Sequence, residues 1–349
     1  MGATRFPSQK ETLAHPAYPS TIFALRPRLS GHCPVAMDRP GGPLQIGYSV
    51  HGNGPIKVVF LIGLAGTQAS WQRQVLHFGH IHASRYTVLT LDNRGMGESS
   101  APLVRYSTSE MAHDVLEVLE FLSWTAPRSV HVVGVSLGGM IAQEVALLRP
   151  TRIATLNLIS TASEMANTGG LSEGLGRLSM LIPKTLEQTI LDTGRQLFPE
   201  EWLLDEDDCL LPDPDIHPEV DLPPTESAKY ERFETNFQRF QAQELTKRLS
   251  PKFTKTGFLM QMLAAGWHKK TPTQLKELGD RVGRERILLF HGEQDKMISP
   301  ALGKRLAAAL EPGTVVYEKE LGHAALLQNT SYFNKMLEKH FDQAEKIPR

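Results

Sequence analysis

Short apolar runs punctuate this chain, and the stretches between several of them repeat their apolar positions every three or four residues. Leu44, Ile46, Tyr48 and Val50 alternate with polar or small neighbours, a period of two that predicts a half-buried strand over 43–51. The mainly apolar run Ile56–Ile62 suits a buried parallel strand, and the mostly apolar, β-branched segments Tyr86–Leu91, Val130–Val135 and Ile153–Ser160 read as further strands. Helical periods follow them at Trp71–His82, Ser107–Trp124 and after Ser136, where Met140, Ile141, Val145 and Leu148 share one side. In the second of these, Met111, Val115, Leu116, Val118, Leu119 and Leu122 form the buried side, Ser107 or Thr108 can cap it, and Glu110 sits in its first turn. The order β-α-β-α-β-α-β implies a parallel sheet with right-handed crossovers.

From Thr161 the rhythm changes. Residues 165–280 hold helical periods, notably over 229–249 and 258–265, and no convincing strand. Within them, 200–226 carries eleven Asp or Glu, several prolines and no Lys or Arg, which reads as a solvated loop and not as a metal site. The α/β pattern then resumes with strands over 286–291 and 314–318 and helices over 300–310 and 324–341. An all-helical insertion above a parallel sheet reads as a lid. Residues 1–43, rich in Pro, Ser and His without a sustained period, read as an extension packed on or tethered to the first strand. The expected division is thus an extension (1–43), an α/β core (44–164 and 281–349) and a helical cap (165–280).

Composition narrows the function. A chain of 349 residues, 41% hydrophobic and 21% charged with a net charge of −1, has ample core and no basic stripe. Nucleic acid and anionic surfaces are therefore poor partners. A small-molecule substrate is expected, for a monomer or homodimer. Cys33 and Cys209 lie far apart without metal-type spacing, consistent with a reducing compartment and no disulfide framework. No apolar run reaches the length of a membrane span, and the N-terminus lacks a secretory segment. A cytoplasmic location is expected, with a transit peptide left open by the excess of Arg and Lys over Asp and Glu in the first forty residues.

The chemistry centres on Gly134-Val-Ser136-Leu-Gly138, between a strand pattern and a helix pattern. Gly-x-Ser-x-Gly in that context is a nucleophile elbow, holding the serine hydroxyl at the carboxyl end of a strand with the helix start facing an incoming anion. A serine hydroxyl needs a base to take its proton, and an imidazole needs a carboxylate to fix its tautomer. Two segments just after strands offer them: His291-Gly-Glu-Gln-Asp295 and Leu321-Gly-His323.

Together with Asp92-Asn-Arg-Gly-Met-Gly-Glu-Ser, these motifs make residues from about Leu44 to Phe341 resemble the α/β-hydrolase superfamily. More narrowly, the chain is similar to capped serine hydrolases, including fungal proteins labelled α/β hydrolases or serine aminopeptidases. The resemblance implies a mostly parallel twisted sheet with helices on both faces and a helical cap inserted after the sixth strand. It implies Ser136 as nucleophile, His323 as general base and Asp295 as its orienter, with Glu164 as the alternative acid because some members place it there. The oxyanion would be held by the backbone N–H groups of Leu137 and Leu64. One departure matters: the family usually has His-Gly at the end of the strand over 56–62, and here Gly63 is kept but Ile62 stands in the histidine's place.

Three readings follow. The first is a serine hydrolase acting on an ester, lactone or thioester of a mainly apolar small molecule. The second is an acyltransferase, lyase or cyclisation catalyst on the same fold, and the third a non-catalytic ligand receptor. No cofactor-binding or metal-ligating set is assigned; Gly95-x-Gly97 is no dinucleotide fingerprint, since Ser100 fills the third glycine's place. His291 reads as a strand end, and His51, His113, His131 and His268 as ordinary polar or partly buried residues. Met180, Leu181, Ile182, Phe233, Phe237, Phe258, Met260, Met262 and Trp267 supply the insertion's core, some of them facing Ser136.

Overall fold

Eight strands pair into one sheet in the order β1-β2-β4-β3-β5-β6-β7-β8. They are β1 (Leu29–Val35), β2 (Leu44–Gly52), β3 (Ile56–Leu61), β4 (Tyr86–Leu91), β5 (Val130–Val135), β6 (Ile153–Ile159), β7 (Ile287–Gly292) and β8 (Thr314–Glu318). The computed structural model describes residues 5–165, 184–217, 219–225 and 228–347. Strand β2 runs antiparallel to both β1 and β4, and every other neighbouring pair is parallel. Strand β1 lies inside 1–43, where no apolar period announces it. Ser30, Gly31, His32 and Pro34 carry no face of their own, so the strand is set by its register on β2. With β1 counted, the helical insertion follows the sixth strand.

Alternate residues of the central strands feed two cores. Val59, Leu61, Val132, Leu156 and Leu289 face helices on one side, and Val58, Phe60, Val133 and Phe290 face the other. The first side is covered by α2 (Thr108–Phe121), α3 (Leu137–Leu148), α8 (Pro272–Val282) and α9 (Pro300–Leu310), which contribute Met111, Val145, Leu278 and Leu306. The second is covered by the helical segment 68–81 and by α10 (Ala325–Gln328) and α11 (Thr330–Glu345). The period over 324–341 predicts one helix. Asn329 divides it, because its side chain accepts from the Tyr332 N–H and starts a second helix.

The segment predicted as a helix over 71–82 changes register twice. A 3₁₀ turn (Gln68–Trp71) leads into one α turn (Gln72–Gln74) and then a π-helical turn (Val75–Ile81). Trp71, Val75 and Phe78 are buried along it, and Gly79 passes β2 so closely that a Cβ there would lie 2.6 Å from that of His51.

Between β6 and β7, the described residues form α4 (Leu186–Leu197), α5 (Glu200–Leu204), α6 (Asn236–Arg248), α7 (Lys255–Trp267) and α8. The acidic run is not wholly solvated. Asp207 is buried and takes the Arg239 Nε–H at 2.8 and 2.7 Å, a pairing that lets both charges leave water together. The residues before β1 also fasten to this insertion. A short helix, α1 (Gln9–Leu13), packs on α6, and Leu25 bridges Val220. No helix among the described residues is long and apolar enough to cross a membrane.

Candidate active site

Strand β3 has β4 on one side and β5 on the other, so the chain changes winding direction there, and the carboxyl ends of β3 and β5 open a crevice. The register sets Leu61 beside Gly134, which puts the loop from Ile62 against the turn at Ser136. Ser136 has φ 56° and ψ −121°, a left-handed backbone that a non-glycine residue adopts only under strain. The packing enforces it. A Cβ on Gly134 would lie 2.3 Å from the Gly138 carbonyl oxygen, and one on Gly138 would lie 2.0 Å from that of Leu61. Thr161 Oγ1 donates to the Ser136 carbonyl at 2.7 Å, tying the elbow to the end of β6.

The loops after β7 and β8 bring Asp295 and His323 together. Nδ1 of His323 lies 2.7 Å from Oδ2 of Asp295, and both side chains are nearly shut off from solvent. The other carboxylate oxygen accepts the N–H groups of Met297 (2.9 Å) and Ile298 (2.8 Å). His291, expected only to end its strand, instead places Nε2 3.1 Å from Oδ2 of Asp295 and 2.9 Å from the Ile298 carbonyl. Burial alone pushes the Asp295 carboxyl up. The charge of His323, the hydrogen bonds from His291 and His323 and the charge of His291 outweigh it and hold the group at about 2. The His-Gly-x-x-Asp spacing at a strand end was the available signal for His291. Glu164, the alternative acid, instead lies 3.2 Å from Lys269 Nζ.

The loop Ile62-Gly63-Leu64-Ala65 has its own supports. Asn93 Nδ2 donates to the Ile62 carbonyl at 3.0 Å, and Asp92 accepts the Gln68 N–H at 2.7 Å. Gln261, fully buried on α7, accepts the Ala65 N–H at 3.0 Å and donates to the Arg94 carbonyl at 2.9 Å. Sequence reasoning missed Gln261, because only the fold brings the insertion to this loop. Leu64 and Leu137 line the same cavity as Ser136. Leu137 opens α3, where a helix leaves its N–H groups unpaired, and no described residue accepts the Leu64 N–H.

Ser136, Leu64, Leu137 and His323 line one cavity of 380 Å³. Among the described residues no hydrogen bond joins the Ser136 hydroxyl to His323, a contact that often tightens only with substrate bound. Met140, Met165, Phe240 and Phe258 make much of the wall apolar. Of the apolar residues expected to face Ser136, Phe258 does so, whereas Phe233 and Phe237 are core and Trp267 is 61% exposed. Met180, Leu181 and Ile182 lie outside the described residues. The last two turns of α6 add a polar stretch of wall, which the sequence did not suggest: Glu244 binds Lys247 and, at 2.7 Å, Arg248. Burial pushes the Glu244 carboxyl up, and these two cations more than offset that, so it stays below its ordinary value. His51, His113, His131 and His268 do not line the cavity.

Residues 57–330 match the family defined by the α/β hydrolase fold. The chain belongs to the α/β-hydrolase family. Its relatives include the proposed carbamate hydrolase RutD of Variovorax paradoxus, 36% identical over 123 residues that cover 35% of this chain and 44% of that protein. The matched region thus spans less than half of that relative. The proposed non-heme bromoperoxidase BpoC of Mycobacterium tuberculosis is 27% identical across 85% of this chain and 98% of its own. Among solved structures, a hydrolase from Pseudomonas aeruginosa superposes with a TM-score of 0.64 at 21% identity, covering 90% of this chain and 98% of that one. At that identity the likeness concerns the fold of an α/β hydrolase and not its substrate.

Proposed function

We propose that this α/β hydrolase is a serine hydrolase that cleaves an ester, lactone or thioester of a mainly apolar small molecule through Ser136, His323 and Asp295. The observation that carries the reading is the 2.7 Å hydrogen bond between His323 and the buried Asp295, with His323 lining the same cavity as the elbow serine. Ser136 Oγ attacks the carbonyl carbon while His323 Nε2 accepts its proton. Asp295, low in pKa and hydrogen-bonded on both oxygens, keeps the proton on Nδ1 and stabilises the imidazolium. The N–H groups of Leu137 and Leu64 receive the developing oxyanion, and His323 returns the proton to the leaving group. Water then attacks the acyl-enzyme with His323 again as base.

In this reading the insertion's helices α4 to α7 act as the cap over the α/β core, whose sheet β1 extends and α8 covers, with the residues before β1 as the strap between core and cap. The apolar wall supports an apolar acyl or alkyl group, and the Glu244, Lys247 and Arg248 wall supports a polar substituent at the other end. The test is labelling by a fluorophosphonate probe alongside turnover of an ester, lactone, thioester and peptide-amide panel. Labelling of the protein and none of Ser136→Ala is expected. Equal labelling of the variant overturns the assignment, and tight ligand binding without turnover would favour a receptor.

A further inference from the structure

The π-helical turn Val75–Ile81 builds a cluster away from the catalytic cavity. Residues five apart on an α-helix point about 140° away from each other, at 100° per residue. The wider turn closes with the His82 N–H on the His77 carbonyl at 3.0 Å, a five-residue step that returns the chain to the same side. His77 and His82 therefore stack edge to face, with ring centroids 4.7 Å apart and planes at 67°. Glu338 of α11 completes the group, with Oε1 at 3.2 Å from Nε2 of His77. That nitrogen is shielded from solvent yet has no aligned hydrogen-bond partner, so the imidazole meets the carboxylate without satisfying it.

Among the described residues this is the one His/Cys/Asp/Glu group whose candidate ligand atoms all fall within 4.8 Å of one another. The geometry points to a zinc site formed by His77, His82 and Glu338, with water in the fourth position. Two imidazoles and a carboxylate are a borderline-hard donor set that suits Zn²⁺. Ligand atoms about 2.0–2.1 Å from a tetrahedral ion lie roughly 3.3–3.4 Å apart, close to the His77–Glu338 separation. The third donor, on His82, lies within 4.8 Å of the other two.

All three side chains are half-buried, so an ion can enter from solvent and keep a water. Lys335, one turn before Glu338, places a positive charge near His77 and works against the ion. Affinity is therefore moderate. The site sits just before the amino end of β4, whereas Ser136 follows the carboxyl end of β5, so its role is to staple the π turn to α11 and not to take part in acyl transfer.

The test uses the full chain without a polyhistidine tag, freed of metal by a chelator and titrated with Zn²⁺ in a calorimeter. One ion per chain is expected, with a rise in melting temperature. His82→Ala and Glu338→Gln should each weaken binding at least tenfold and abolish that rise, while His113→Ala keeps both. Because His82 and Glu338 are half-exposed, a melting temperature near the metal-free parent's shows that each variant still folds. Absence of binding, or unchanged affinity in both variants, overturns the site. Ester turnover of the metal-free protein is read separately, so loss of hydrolysis and loss of zinc binding are distinguishable.

Discussion

Gln261 holds the Ala65 N–H at 3.0 Å, so a helix of the insertion fixes the loop that would form half of the oxyanion hole. Ala65 needs the support, since its φ is 60°. The amide's other end donates to the Arg94 carbonyl, which braces the loop against the turn after β4. Support for the loop that begins at Ile62 thus comes from the insertion. Gln261→Leu should leave two buried backbone groups unpaired, at about 1–3 kcal/mol each. A fall in kcat on the order of tenfold or more is expected, with a smaller change in KM. Steady-state kinetics on an ester substrate, with a melting curve as the folding control, checks it.

The carboxylate of Asp295 meets two histidines, and changing the acid or its second histidine should have unequal effects. Asp295→Asn leaves His323 without a tautomer-fixing acceptor, and kcat should fall by about 10³–10⁴-fold. His291→Ala removes a single charged contact, worth roughly 1.5–3 kcal/mol, and should cost on the order of 10–100-fold. Glu164→Gln should stay within about twofold, because Glu164 contacts Lys269 and not His323. A large loss in Glu164→Gln with a silent Asp295→Asn would reverse the assignment of the acid.

Glycine is obligatory at Gly138. Alanine there would press its Cβ to 2.0 Å from the Leu61 carbonyl, forcing β3 and α3 apart. Gly138→Ala should lose several degrees of melting temperature and nearly all probe labelling. Gly266→Ala, on α7 with nothing within 4 Å of the added carbon, should be neutral or gain up to about 1 kcal/mol from helix propensity. Equal behaviour of the two would refute the steric account.

Stability should fall as the solution is acidified below neutrality. Burial, aided by the charge of His80, pushes His51 down to about 3, and burial with Lys270 does the same to His268. Their unfolded values are about 6.5, so the unfolded chain binds more protons between those limits. The stabilisation is complete above about pH 6.5 and is lost progressively as pH falls toward 3. Asp295 acts in a lower window: its depressed value stabilises above about pH 4 and is lost toward 2. Urea unfolding at pH 7.5 and 4.5 should show the loss, and His51→Gln should make its pH slope shallower by about one proton.

Amphipathic period and glycine punctuation were enough to read most of the strands, because a strand buried on both faces needs a mostly apolar run wherever it lies. They were also enough to place Ser136, Asp295 and His323 after strands, since the carboxyl ends of a parallel sheet are where loops converge. Strand β1 was not legible, because an edge strand is held by a neighbour's backbone and asks little of its side chains. Nor was the π turn, because one residue added to a helical turn leaves the apolar spacing of Trp71, Val75 and Phe78 intact while swinging His82 onto His77. Asp207 read as a solvated acid until α6 brought Arg239 to it, and Gln261 read as one more helical glutamine until α7 reached the loop at Ala65. Local pattern determined which segments are strands and which residues could carry chemistry. Contacts between residues 25 to nearly 200 positions apart decided which of those residues meet, because a side chain's partner across the fold leaves no periodic trace in its own neighbourhood.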